Sequence, residues 1–237
     1  MTSDPTTAET TTITGYGGDE IEAYLVCPST RTGQPGLVVL HHMPGYDEAT
    51  KEIVRAFAAD GYCVLMPNLH HRFAPGADPA TASAAAREAG VSDDQVVGDA
   101  RGAIEVLRAR KESNGKVGVI GYCSGGRQSW QVACSLEVDA AVVCYGARSD
   151  PSLAPMLRCP LLGLYGNEDQ SPSPADVDAL EAALRTSGKS YELHRYDGAG
   201  HAFFARDRPT YRHDAAQDGW ERIREFLAAH LKEPQES

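Results

Sequence analysis

Lys116-Val117-Gly118-Val119-Ile120-Gly121-Tyr122-Cys123-Ser124-Gly125-Gly126 is the stretch that decides the fold. A short apolar run enters a tight turn flanked by glycines, and a helix follows. The residue at the apex of such a turn sits in a strained backbone conformation, and side chains on its neighbours would clash where strand crosses into helix. The pattern is the strand–turn–helix G-x-S-x-G, with cysteine in place of serine. The frame also selects the reactive residue. Centring the motif on Ser124 needs glycine at 122, where Tyr122 stands, so Cys123 is the candidate nucleophile.

Outward from this stretch, short apolar runs alternate with helical periodicity. Strands are expected at Ile21 to Val26, Gly36 to Leu40, Tyr62 to Pro67, Ala140 to Tyr145, Leu161 to Tyr165 and Tyr191 to Tyr196. Helices are expected at Glu48 to Ala59, near Ala82 to Glu88, at Asp93 to Arg110, after the turn, at Ala175 to Thr186 and at Asp214 to Leu231. Asn68 to about Thr81 reads as a surface crossing. Continuous apolar strands alternating with helices specify an α/β architecture, a doubly wound, mainly parallel sheet with helices on both faces. One domain is expected over residues 13–232, with a flexible polar tail at 1–12 and a short tail at 233–237.

The 237 residues carry 33 Asp and Glu against 22 Lys and Arg, a formal charge of −11 with no basic cluster, which argues against a nucleic-acid partner. No apolar run approaches the length of a membrane span, and the N-terminus lacks the basic and apolar regions of a signal peptide. A cytoplasmic location is the expectation. The six cysteines, at 27, 63, 123, 134, 144 and 159, show no close C-x-x-C pairing. All but Cys123 read as buried thiols in a reducing compartment.

In doubly wound sheets, ligands bind beyond the C-terminal strand ends. Three reactive residues fall there, in the chain order nucleophile, acid, histidine. Cys123 follows one strand, Asp169 follows Leu161 to Tyr165, and His201 follows Tyr191 to Tyr196. A free thiol has a pKa of about 8.5 and is mostly protonated at neutral pH; a helix N-terminus and an imidazole both favour its anion. The histidine then carries the proton to the leaving group while the carboxylate fixes its tautomer. Glu168 competes with Asp169 as orienter; the shorter side chain suits a loop acid. Acyl transfer also needs oxyanion donors. Ser124 N–H is the first, and Met43 N–H, in the loop after Gly36 to Leu40, is the second, since Pro44 has no N–H to give. The pairs His41-His42 and His70-His71 lack a cysteine or acid at ligand spacing, so no metal is expected. Tyr122, Tyr145 and Trp130 read as core, whereas Phe203 and Phe204 are candidates to line a substrate pocket.

These residues together resemble the dienelactone hydrolase (carboxymethylenebutenolidase) family of the α/β-hydrolase superfamily. The likeness runs from about Ile21 to Leu231. It is carried by Ser113-Asn114-Gly115-Lys116-Val117-Gly118-x-x-Gly121-Tyr122-Cys123-x-Gly125-Gly126, Gly166-x-x-Asp169 and Ala199-Gly200-His201-x-Phe203, with Asp60-Gly61-Tyr62 and Pro67-x-Leu69-x-x-Arg72 in support. The resemblance implies an α/β-hydrolase fold, a triad of Cys123, Asp169 and His201, and hydrolysis of a small lactone or ester through an acyl-cysteine, without a cofactor. It also implies arginines that bind a substrate carboxylate: Arg206 is the first candidate, with Arg208 offset by two and Arg87 weaker. One position departs from the family. Its glutamate in the oxyanion loop, which takes part in activating the thiol, is replaced by His42, a residue that either assists the thiol in another way or supports the loop by hydrogen bonds. Two alternatives stand beside this reading: a thioesterase or broader carboxylesterase on the same scaffold, and a non-catalytic ligand-binding or thiol-sensing protein that kept the fold. The sequence does not assign an oligomeric state.

Overall fold

The computed structural model describes residues 5–29 and 32–232. Its contacts gather into two units, Met1–Gly118 and Val119–Ser237, divided within one strand.

In the first unit, β1 (Thr6–Thr14) and β2 (Glu20–Pro28) form an antiparallel pair from Thr6↔Pro28 to Thr14↔Glu20. β3 (Gln34–Leu40) and β4 (Cys63–Pro67) are buried along their whole lengths and pair in parallel, as continuous apolar runs require. The strand order is β1-β2-β4-β3-β5, with β5 spanning Ser113–Tyr122. Helices α1 (Glu48–Ala59), α2 (Pro79–Ala89) and α3 (Asp93–Ala109) start at side-chain caps: Asp47 accepts from Thr50 N–H, Asp78 from Ala80 and Thr81 N–H, and Ser92 from Gln95 N–H.

Two expectations are corrected here. The tail expected at 1–12 is strand from Thr6 onward. Its run of threonines is β-branched and suits an edge strand that buries little besides Ile13. Residues 1–4 and 233–237 lie outside the described residues. The second correction concerns cysteine. The β2–β4 register, which pairs Val26 with Val64, carries on to set Cys27 opposite Cys63; the two form a disulfide with Cα atoms 4.1 Å apart.

In the second unit the order is β5-β6-β7-β8. β6 (Ala140–Cys144), β7 (Leu161–Gly166) and β8 (Tyr191–Tyr196) run parallel, and all of β6 and β7 is buried. Helices α4 (Ser124–Ser135), α5 (Pro174–Thr186) and α6 (His213–Leu231) alternate with these strands, and a 3-10 turn at Pro151–Met156 precedes β7. Among the described residues no helix is long and apolar enough to cross a membrane.

Candidate active site

The turn after β5 is built as its glycines require. Cys123 stands at φ 57° and ψ −119°, a left-handed conformation rare for a residue with a side chain. A Cβ at Gly121 would lie 1.9 Å from Gly125 O, and one at Gly126 would lie 2.6 Å from Cys144 O. Only glycine lets the helix return this closely over the strand. Cys123 N–H donates to Cys144 O, while Gly126 and Arg127 N–H donate to Cys123 O. The nucleophile candidate therefore occupies the N-cap of α4, where the helix dipole favours an anion.

The loops after β7 and β8 are laced by backbone hydrogen bonds. Asn167 N–H donates to Tyr196 O and Glu168 N–H to Ala199 O, each at 2.9 Å. This geometry decides between the two acids. Glu168 is exposed, whereas Asp169 is 2 % exposed and turned inward. Asp169 Oδ1 accepts Ser171 N–H at 2.8 Å, and Oδ2 accepts His201 Nδ1–H at 2.8 Å. His201 Nε2 lies 3.1 Å from Cys123 Sγ. Cys123, Asp169 and His201 are thus brought together from the ends of three strands.

Electrostatics follow from these contacts. Hydrogen bonds to Asp169 and then Cys123 outweigh burial and raise the His201 imidazole to about 10. Burial alone would push the Cys123 thiol up. The His201 hydrogen bond and charge, Ser124 N–H and the Arg208 charge together hold it below the ordinary thiol range. Cys134 and Cys159 show the contrast: burial pushes both thiols up to about 12. The edge of the site is aromatic. Tyr145, left-handed at φ 39°, sets its ring 5.2 Å from that of His201.

Phe203 and Phe204, expected to line a pocket, are instead buried at 0 % and 8 % exposure. They stack on each other at 4.6 Å, and Phe204 packs on Tyr122 and Trp220. Gly219 of α6 makes the room, since a Cβ there would lie 2.5 Å from the Phe204 ring. The paired phenylalanines carry the His201 loop on α6. Tyr122, Tyr145 and Trp130 are buried, as read from the sequence. Of the arginines, Arg206 and Arg208 are both exposed, and Arg208 is the one whose charge acts on Cys123. Arg87 is exposed in the last turn of α2. A cavity of about 250 Å³ opens beside the Asp169 loop, lined in part by Gly146, Arg148, Tyr165, Ser171 and Pro172.

The loop that holds Met43 is braced from within the first unit. His42 Nε2 lies 3.3 Å from Asp47 Oδ2, and its Nδ1 lies 3.3 Å from Thr50 Oγ1. Both ring nitrogens are thereby engaged, which makes His42 a brace of its own loop. Burial raises Asp47, but the hydrogen bonds from His42 and Thr50 prevail and hold its carboxyl well below the usual range. Burial and the neighbouring His70 push His41 down to about 3, so the ring is neutral: Nδ1 donates to His42 O and Nε2 accepts Leu69 N–H. Sequence spacing gave no sign of these braces.

Residues 21–231 match the model of the dienelactone hydrolase family. A Methylorubrum extorquens protein named "Putative carboxymethylenebutenolidase" is 33% identical over 221 residues, covering 87% of this chain and 76% of its own length. A protein of the same name from Escherichia coli K12 is 32% identical, covering 89% of this chain and 83% of its own. Among solved structures, one described as "Putative Dienelactone Hydrolase" from Klebsiella pneumoniae superposes with a TM-score of 0.86 at 29% identity, over 95% of this chain and 99% of that one. With an eight-stranded, mainly parallel sheet of the α/β-hydrolase fold, this chain belongs to the dienelactone hydrolase family.

Proposed function

We propose that the protein hydrolyses small carboxylic esters or lactones through an acyl-cysteine intermediate. The observation that carries this reading is the continuous chain Asp169 Oδ2–His201 Nδ1 and His201 Nε2–Cys123 Sγ, at 2.8 and 3.1 Å. Cys123 Sγ attacks the acyl carbon, and the electron pair of the C=O bond moves onto oxygen. Ser124 N–H, which already points at the sulfur, is one donor to that oxyanion. Met43 N–H is proposed as the second on the sequence motif alone. Collapse breaks the acyl C–O bond, and His201 Nε2–H protonates the departing alkoxide. In a lactone that alkoxide stays attached, so the final product is a hydroxy acid. The neutral imidazole then takes a proton from water, whose oxygen attacks the thioester; the thiolate leaves and the acid is released. Asp169 holds the ring throughout.

A cytoplasmic location is also part of the proposal, although the Cys27–Cys63 disulfide speaks against a strongly reducing compartment. Intact-protein mass spectrometry after brief exposure to a small activated ester tests the chemistry. A transient acyl adduct on Cys123, absent in Cys123→Ala along with turnover, is expected. Full hydrolysis by Cys123→Ala would sink the proposal.

A further inference from the structure

We infer that Tyr145 is a positioning residue for the second half of the reaction: its ring holds the His201 imidazole in place while water cleaves the acyl-cysteine. This deepens the proposed hydrolysis and rests on it.

His201 is held at two points. Asp169 Oδ2 accepts its Nδ1–H at 2.8 Å, and Nε2 lies 3.1 Å from Cys123 Sγ. These contacts fix the ring along the line through its nitrogens and leave its twist about that line free. The side chain is 34 % exposed, so burial does not supply the missing restraint. The Tyr145 ring does. It meets the imidazole edge-on, with centroids 5.2 Å apart and planes at 63°.

The mount of that ring is firm. Tyr145 is 3 % exposed, and its N–H donates to Leu164 O at 2.8 Å. On one side of it, Cys144 O accepts Cys123 N–H at 3.1 Å; on the other, a Cβ at Gly146 would lie 2.6 Å from Arg127 N in α4. The segment is thereby clamped to the same turn that carries the nucleophile. The ring also stands 5.4 Å from Phe203 and 6.0 Å from Phe204, the pair that carries the His201 loop. Its left-handed φ of 39° is a costly conformation for a bulky side chain. Such an outlier, tied on both sides and in contact with a triad member, points to a role in the reaction. The ring is the working part, since among the described residues the hydroxyl makes no hydrogen bond.

The restraint matters most after acylation. In the first step Sγ itself aligns Nε2. In the acyl-cysteine, Sγ is bonded to the acyl carbon, and Asp169 and Tyr145 are the contacts that keep hold of the ring. The oxygen of water then bonds the acyl carbon, Nε2 takes its proton, and the C–S bond breaks with its electrons on sulfur. A ring free to twist presents Nε2 poorly to that water, and a misplacement of about 1 Å costs roughly 100-fold.

Mass spectrometry of the intact protein, quenched during turnover of a small activated ester, separates the two steps on Cys123. In Tyr145→Leu the adduct is expected to form within about threefold of the wild-type rate and to decay at least about tenfold more slowly, so that it accumulates. Tyr145→Phe, which keeps the ring, is expected to match the wild type in both steps. Circular dichroism checks the fold, and Tyr145→Met carries the same expectation where Tyr145→Leu does not fold. Wild-type decay of the adduct without the ring, an equal loss in both steps, or a loss in Tyr145→Phe as large as in Tyr145→Leu overturns the inference. In each of these results the adduct still forms on Cys123, so the proposed hydrolysis stands and the inference fails alone. With no adduct on Cys123 in the wild type, both fail together.

Discussion

Asp169 shows how much one residue's surroundings fix. One oxygen is held by Ser171 N–H and the other by His201, so an amide at this position either turns its NH₂ toward the imidazole or loses the backbone bond. Asp169→Asn is expected to keep the fold and lower kcat/KM by roughly 10²- to 10⁴-fold, because the imidazole then favours the wrong tautomer. Steady-state kinetics beside a circular dichroism spectrum would check both halves. The pH profile of kcat/KM follows from the same contacts. On the acid side activity falls as the thiolate takes a proton, and the depressed Cys123 thiol moves that limb below its ordinary position. On the basic side it falls as His201 loses the proton it must donate, near pH 10. A broad plateau between the limbs is expected; a narrow optimum above pH 8 would contradict it.

At the scale of elements, the motif Pro67-x-Leu69-x-x-Arg72 acquires a structural meaning. Arg72 grips Asp99 of α3 with two nitrogens, at 2.8 and 2.9 Å, and also reaches Asp19 and Tyr16 O in the β1–β2 connection. Tyr16 N–H completes the set on Asp99, whose side chain is fully buried. Asp99→Ala leaves Tyr16 N–H without its acceptor and Arg72 with Asp19 as its carboxylate partner, and is expected to cost about 3 kcal/mol, measured by urea unfolding. The elements themselves were largely legible, because buried strands such as β4 and β6 are apolar end to end and helices α1, α2, α3 and α5 start at side-chain caps. β1 was not legible, since an edge strand of exposed threonines lacks the alternation that marks a half-buried one. In the site, Cys123 and His201 announced themselves through glycine frames. The burial of Phe203 and Phe204 and the reach of Arg208 depended on how loops pack, which local pattern does not encode.

For the whole molecule, the disulfide is the feature the sequence hid most completely. Cys27 and Cys63 are 36 residues apart with no spacing motif, and only the strand register sets them face to face. Closing a loop of that length limits the unfolded chain and is expected to contribute about 4 kcal/mol in the loop-entropy account. Thiol titration of the unfolded, unreduced protein should find four groups, matching Cys123, Cys134, Cys144 and Cys159. Reductant should raise that count to six and lower the melting temperature. An unchanged melting temperature would show that the bridge contributes nothing to the fold.

The lacing of the β7 and β8 loops has a consequence for change over time. Gly166 lies so near the other loop that a Cβ there would stand 2.2 Å from Ala199 O, and main-chain bonds fix the spacing between Asp169 and His201. The acid–base pair is therefore held by atoms that nearly every amino acid shares. Side-chain changes that leave these main-chain bonds intact do not move it. Selection, natural or in the laboratory, is free to alter the side chains around this pair while its spacing stays the same.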